Sequence, residues 1–226
     1  MRALYFTKID FIKTKQQMLI VPVIMLFVGL VMLFGDTDGS SSKVVTLFMY
    51  TLFIAIVFST APFGECRRKD AGFLMLLPAD TRDRVVGRFL YGILLQAIAA
   101  VIGVICVVGY RAFGRAGNPA DLSVCLIGLS VGILLMSAQY VFFYLFGENS
   151  GTQLLNFARV IPGMCYFMGA LYVSNMIKEQ PERVASTMEA VVSRLNVIGI
   201  FSVVSALIVL VAAVSLCIQM TDKRDC

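Results

Sequence analysis

The sequence predicts an all-α membrane protein with six transmembrane helices. Of its 226 residues, 59% are hydrophobic and only 15% are charged, which lies outside the usage of ordinary soluble proteins. Because lipid offers no water to satisfy open backbone groups, apolar runs of about 20 residues are expected to form helices. The runs that contain no Asp, Glu, Lys or Arg are 18–35, 44–63, 89–110, 122–146, 160–177 and 197–220.

The distribution of Lys and Arg predicts the orientation of these spans, because positive residues accumulate on the cytoplasmic side of a membrane. If the N-terminus lies inside, thirteen of the 19 Lys and Arg residues fall in cytoplasmic segments and the others fall outside. Both termini are therefore expected in the cytoplasm. The excess of Lys and Arg in the cytoplasmic segments then accounts for the formal net charge of +5. It does not indicate nucleic-acid binding, because no basic patch interleaves with aromatic residues.

The chain lacks the residues that several kinds of functional site require. The chain has no His and no Cys-x-x-Cys pair, so no zinc or haem site is expected. Its six Cys residues are scattered and do not suggest a disulfide framework. No Gly-Lys-Ser/Thr phosphate loop occurs, so we expect no bound cofactor and no ATPase activity by that route. The polar residues within the spans are neutral, which leaves proton or sodium coupling without an evident carrier.

Residues 1–17 predict a helix at the membrane surface before the first span. The apolar side chains on one face of this helix are Leu4, Tyr5, Ile9 and Ile12. Lys8 lies within the same face, and its long side chain can extend the amine to the headgroups. The alternative is a frayed basic tail, which the number of aromatic residues disfavours.

The cytoplasmic loop at residues 65–88, called the corner loop below, combines charge with a short apolar helix. Its charged start is Arg67, Arg68, Lys69 and Asp70. The side chains on one face of the helix that follows are Phe73, Leu76 and Leu77. Pro78 disfavours helical geometry at the residue before it and ends this helix, and Asp80 or Thr81 can cap the next one. The corner loop either fixes topology only or presents an apolar surface to a soluble partner.

Residues 178–196 predict an amphipathic helix on the outer surface, between spans five and six. After Pro181, apolar residues recur at helical spacing and charged residues lie elsewhere. Such a helix either rests passively on the headgroups or covers an exit path, and both interpretations stay open because the pattern does not name a partner.

Two features of the spans have more than one interpretation. Gly128 and Gly132 in span four permit a close helix approach, either within the chain or to another subunit. In span five, Pro162 and Gly163 can bend the helix. The aromatic residues around them line an apolar path or face lipid.

Family resemblance favours one interpretation of the corner loop. The stretch "DAGFLMLLPADTRDRVVGRFLYG" resembles the cytoplasmic element between spans two and three of type-2 ABC transporter permeases, with Leu-Leu-Pro, a short polar stretch, Arg and an aliphatic pair. "FTKIDFIKTK" resembles the N-terminal elbow helix of those permeases. Such permeases often have a Ser before the Arg, and Thr81 fills that place here. The order of elements matches over nearly the full chain.

This resemblance implies a permease subunit that pairs with a second permease and with two ATP-binding cassette ATPase subunits, which bind the ATP and Mg²⁺. The corner loop would be the coupling helix, seated in a groove of the ATPase. Its implied contact residues are Arg67, Arg68, Lys69, Asp70, Phe73, Leu76, Leu77 and Arg82. Spans two and five line the path in related exporters, which implies Tyr50, Phe53, Phe58, Tyr166, Phe167 and Tyr172 as path residues.

The expected function is export of an amphipathic or hydrophobic cargo, either a peptide or a drug-like molecule, across a bacterial cell membrane. The compact size is similar to that of small permeases that export phenol-soluble modulins or antimicrobial peptides. The alternative is a membrane scaffold that transports nothing, such as an immunity or sensor subunit, which the absence of charge within the spans would also fit.

Overall fold

The computed structural model describes residues 2–34, 41–65, 80–112, 121–146, 160–169, 171–172 and 181–225. Within these ranges the chain is helical and contains no strand, which confirms the predicted all-α class for the part described. The helices are α1 (Arg2–Lys13), α2 (Lys15–Phe34), α3 (Ser41–Ser59), α4 (Ala61–Glu65), α5 (Thr81–Ala112), α6 (Asp121–Phe146), α7 (Val160–Gly169) and α8 (Pro181–Asp225).

Three stretches of the described helices are long and apolar enough to cross a membrane. They are Thr81–Gly109, Cys125–Phe146 and Val197–Lys223, and they overlap the third, fourth and sixth predicted spans. Phe48–Phe63 and Val160–Gly169 are shorter apolar helices at the positions of the second and fifth. Helix α2, with 20 residues, covers residues 18–34 of the first predicted span. The total of six spans stays a prediction.

Helix α8 differs from the predicted arrangement of an outer helix followed by a separate span. It runs for 45 residues without a break, so residues 181–196 and the sixth span form one helix. Pro181 occupies the first helical position, where its missing N–H has no intrahelical role. No further proline follows within the helix, so the backbone has no strong reason to end before the span begins.

Helix α1 packs against the start of α5. The Thr7 hydroxyl donates a hydrogen bond to the Gly87 carbonyl oxygen, at 3.0 Å. Seven residues later, the Thr14 hydroxyl lies 3.1 Å from the Tyr91 hydroxyl. The rings of Phe11 and Tyr91 are 5.0 Å apart between centroids. These contacts fix α1 beside the first turns of α5; its predicted position at a membrane surface stays a prediction.

Two apolar clusters hold the longer helices together. The first joins α2, α3, α5, α6 and α7 and includes the buried residues Met25, Leu52, Leu95 and Tyr166. The second joins α5, α6 and α8 and includes the buried residues Phe89, Met136, Tyr140 and Cys217. In lipid, close packing rather than exclusion of water drives such association, so small changes of shape in these clusters are expected to affect stability.

From Val197 onward the outward face of α8 is apolar, and the other described residues leave it exposed. Phe201 is 75% exposed, and Ile208 and Val211 are both 65% exposed. A helix with large apolar residues exposed along its span suits a lipid environment. The apolar helices therefore place this protein in a membrane.

Candidate functional site

Most of the predicted ATPase contact lies outside the described residues. The structure describes no residue from 66 to 79. The contact roles predicted for this segment therefore stay predictions, and they concern Arg67, Arg68, Lys69, Asp70, Phe73, Leu76 and Leu77. Arg82 is described, and it is exposed on the first turn of α5.

The exit from the corner loop has the local structure that the sequence predicted. Helix α5 begins at Thr81, and the Asp80 carbonyl accepts hydrogen bonds from the N–H groups of Asp83, at 3.0 Å, and Arg84, at 3.3 Å. Asp80 is therefore the residue that precedes the helix and receives its first backbone bonds. Asp83 lies in the first turn, where the helix dipole favours an acid.

The entrance to the corner loop is a break between α3 and α4. The chain leaves helical geometry at Thr60, and Pro62 follows, which has no N–H to donate to an earlier turn. The Ser59 and Thr60 hydroxyls donate to the carbonyls of Ile56, at 2.7 Å, and Val57, at 3.1 Å. Such bonds to the preceding turn tend to bend helices. The break therefore follows from three local signals within four residues of the sequence, Ser59, Thr60 and Pro62.

Tyr140 of α6 binds this break directly. In an unbroken helix the Ser59 carbonyl would accept the N–H of Phe63, but that N–H donates instead to the Thr60 carbonyl, at 3.1 Å. The Tyr140 hydroxyl donates to the Ser59 carbonyl at 2.6 Å. Tyr140 is fully buried, so its hydroxyl satisfies a carbonyl at the point where the helix breaks.

Helix α4 is held by the ring of Phe63. This ring stacks on Phe143 with centroids 4.9 Å apart and planes 10° apart, and it meets Tyr140 and Tyr144 edge-on at 5.0 and 5.5 Å. The Arg88 guanidinium carbon lies 4.9 Å above the same ring. These five residues are called the Phe63 cluster below. Because Phe63 precedes the undescribed part of the corner loop and Arg88 follows it, the cluster joins the two ends of that loop.

Three of the predicted path residues lie together between α3 and α7. The ring of Phe167 lies 5.4 Å from that of Phe53 and 6.1 Å from that of Tyr50, and Tyr50 and Phe53 are 6.1 Å apart. These three rings are called the path cluster below. All three are half-buried, so each ring keeps a surface that no other described residue covers.

Gly163 explains how α7 approaches α3 so closely. A Cβ at this position would lie 2.8 Å from a methyl carbon of Val57 and 3.1 Å from the Phe53 ring. Only a residue without a side chain fits there unless the helices separate. The sequence predicted that Gly163 can bend the helix. The structure adds a second role, because the missing side chain allows close contact between the helices that carry the path cluster.

The other predicted path residues occupy different places. Tyr166 is buried, and its hydroxyl lies 2.7 Å from the Met49 sulfur and 3.3 Å from the Gly128 carbonyl oxygen. It therefore ties α7 to α3 and α6. Phe58 is half-buried and packs against the first apolar cluster. Tyr172 is 66% exposed. A path role for any of these residues stays a prediction.

The polar side chains inside the bundle are neutral, and some join helices. The Ser130 and Ser202 hydroxyls are 2.9 Å apart, which links α6 to α8. Gln96 of α5 is only 2% exposed, and its amide finds no hydrogen-bonding partner among the residues that the structure describes. Within the same residues, no group of His, Cys, Asp or Glu could hold a metal ion.

Sequence reasoning missed the contribution of span four to this site. Tyr140 and Phe143 lie in the fourth predicted span, which the sequence marked only for its Gly128–Gly132 pair. Ser59, Thr60 and Pro62 lie near the end of the second span, which was predicted to run unbroken over 44–63, and no sequence pattern names a partner for the carbonyl that a break there exposes. The hydrogen bond from the Tyr140 hydroxyl to the Ser59 carbonyl joins residues 81 positions apart in the chain.

The comparison with protein-family models finds one match over nearly the whole chain. Residues 7–221 match the model described as "ABC-2 family transporter protein". This range includes the break, the Phe63 cluster and the path cluster. Comparison with curated proteins and with solved structures finds no match.

Proposed function

The chain belongs to the ABC-2 family of transporter proteins, as a permease, and we propose that it forms the membrane half of an ATP-driven exporter. The cargo proposed is an amphipathic or hydrophobic molecule, either a peptide or a drug-like compound. The observation that carries the proposal is the family match over residues 7–221. Permeases of this family are membrane components of transport, so energy has to come from ATPase subunits on the cytoplasmic side.

The corner loop is the proposed attachment point for the ATPase. Phe73, Leu76 and Leu77 form the apolar contact, with Arg67, Arg68, Lys69, Asp70 and Arg82 around it. The exposure of Arg82 on the first turn of α5 supports a position open to a soluble partner. The Phe63 cluster supports a mechanical role, because it connects both ends of the loop to α6 through ring contacts.

The path cluster is the proposed lining for the cargo. Its three rings lie on the two helices that the family resemblance assigns to the path, and each is half-buried. Aromatic rings offer a large apolar surface and an edge that accepts polar neighbours, which suits a cargo with both kinds of surface. A second permease, identical or different, is proposed to close the other side of the path.

Replacement of Phe167 by Ala is expected to lower export about tenfold, because the path cluster loses its α7 ring and with it two ring contacts worth about 0.5 to 1.5 kcal/mol each. Binding of the ATPase is expected to persist, since the ring contacts of Phe167 are with Tyr50 and Phe53 of α3 and not with the Phe63 cluster. The measurement is ATP-dependent uptake of a fluorescent amphipathic peptide into inverted vesicles.

Phe142→Ala is the matched control for this prediction. It also removes one ring of a close pair, with Phe146 at 4.3 Å between centroids, but on α6 and outside the path cluster. An equal loss of uptake in both variants would mean that ring packing in general, and not the path cluster, supports export.

The function itself is tested by co-expression with ATP-binding cassette ATPase subunits from the same genome. We expect the two proteins to co-purify and, in vesicles, to move the peptide only when ATP is present. Co-purification without any ATP-dependent movement would favour a membrane scaffold. Movement that depends on a proton or sodium gradient and not on ATP would favour an ion-coupled carrier.

A further inference from the structure

We propose that Tyr140 is a positioning residue for energy coupling, because its hydroxyl fixes the break between α3 and α4 to α6. This inference rests on the proposed function, since it concerns how a movement imposed by the ATPase reaches the spans. It does not depend on which cargo moves.

The first observation is the chemical need at the break. The N–H of Phe63 donates to Thr60 and not to Ser59, so the Ser59 carbonyl needs another donor within an apolar bundle. The Tyr140 hydroxyl supplies it at 2.6 Å. An unsatisfied carbonyl is costly in a medium without water, so the bond favours one arrangement of α4 relative to α3.

The second observation is that the Tyr140 side chain has little freedom to follow any other arrangement. Its ring meets Phe63 of α4 at 5.0 Å and Phe89 of α5 at 4.9 Å between centroids, both edge-on. Its hydroxyl oxygen lies only 2.6 Å from the position that a Cβ at Gly92 would take. Tyr140 thus contacts the helix before the corner loop, the helix after it and the break itself.

The third observation concerns where α6 leads. The second apolar cluster, which contains Tyr140, also contains Leu210 and Cys217 of α8. A displacement of α4 is therefore passed to α6 through Tyr140 and to α8 through this cluster. Without the hydroxyl, α4 could swing at Thr60 while α6 stays in place, and ATP hydrolysis would proceed with less transport.

The test compares Tyr140→Phe with Tyr91→Phe in the complete complex of permease and ATPase, reconstituted in vesicles. Both variants delete one hydroxyl from a tyrosine that is at most 1% exposed and that contacts another helix, but the Tyr91 hydroxyl faces Thr14 and not the break. The measured quantities are ATPase co-purification, thermal stability and the number of fluorescent peptides moved per ATP hydrolysed.

For Tyr140→Phe we expect transport per ATP to fall about fivefold, the factor that corresponds to one lost buried hydrogen bond, while ATPase co-purification is unchanged. Tyr91→Phe is expected to keep the ratio of the unmodified protein. Phe63→Leu, which retains an apolar side chain but loses the ring contacts, is expected to lower the same ratio, and it serves as the second variant if Tyr140→Phe is poorly produced.

An unchanged ratio in Tyr140→Phe and Phe63→Leu overturns this proposal and leaves the proposed function intact. An equal fall in Tyr91→Phe also overturns it, because the effect would then follow from loss of any buried hydroxyl. If the unmodified complex shows no ATP-driven transport, the proposed function itself is refuted, and the positioning role with it.

Discussion

Replacement of both Phe73 and Leu76 by Asp is expected to weaken ATPase binding so far that the two proteins no longer co-purify and export is lost. Under the proposed function these side chains enter an apolar groove of the partner, where a carboxylate would lose water without gaining a hydrogen bond. The loss of two buried anchors costs about 3 kcal/mol, which corresponds to roughly a hundredfold in Kd. The measurement is co-purification of the ATPase, followed by titration of purified ATPase against the permease in nanodiscs.

Met75→Asp is the control for this double replacement. It adds one carboxylate, where the double variant adds two, within the same predicted short helix, but the sequence places Met75 off the face shared by Phe73, Leu76 and Leu77. ATPase binding is expected to survive in this variant. If the double variant binds the ATPase as tightly as the unmodified protein, the corner loop is not the docking element, whatever the family suggests.

Replacement of Gly92 by Ala is expected to destabilise the bundle by about 1 to 3 kcal/mol, the usual effect of overpacking a tight core. The new Cβ would lie 2.6 Å from the Tyr140 hydroxyl and 2.7 Å from the Met136 sulfur. The flexible Met136 can move aside, whereas the Tyr140 ring is fixed by its neighbours. This loss outweighs the gain of about 1 kcal/mol that alanine brings to a helix interior.

Thermal unfolding in detergent measures this effect, and Gly109→Ala is its control on the same helix. A Cβ at Gly109 would meet nothing within 4 Å in the described part of the chain, so this variant is expected to be as stable as the unmodified protein or slightly more stable. Adding Tyr140→Phe to Gly92→Ala removes the hydroxyl from the contact but also removes its bond to the Ser59 carbonyl, so the double variant is expected to lose less stability than the sum of the two single losses. Single losses that simply add in the double variant would contradict the steric explanation.

The two ends of the corner loop differ in how far the sequence could describe them. At the exit, Asp80 and Asp83 form a helix start from neighbouring residues, and the structure has this start where the sequence predicted it. At the entrance, Ser59, Thr60 and Pro62 signal a break, yet the second span was predicted to run through it to Phe63. The partner that stabilises this break is Tyr140 on another helix, so no local pattern could include it.

The path residues show the same difference. The sequence and the family resemblance selected six aromatic residues on spans two and five as one group. The structure brings Tyr50, Phe53 and Phe167 together, whereas Tyr166 turns inward to Met49 and Gly128. Neighbouring residues on a helix point in directions about 100° apart. The rotation of α7 against α3 therefore decides which of Tyr166 and Phe167 joins the path cluster.

The sequence by itself determined that this chain enters a membrane, because lipid selects long apolar runs whatever their neighbours are. It also determined its family, since the order of its elements is a property of the chain alone. Only the tertiary structure decided that Tyr140 holds the break at Ser59 and that α7 meets α3 at Gly163. Those contacts depend on the relative rotation and depth of separate helices, which packing fixes and hydropathy does not.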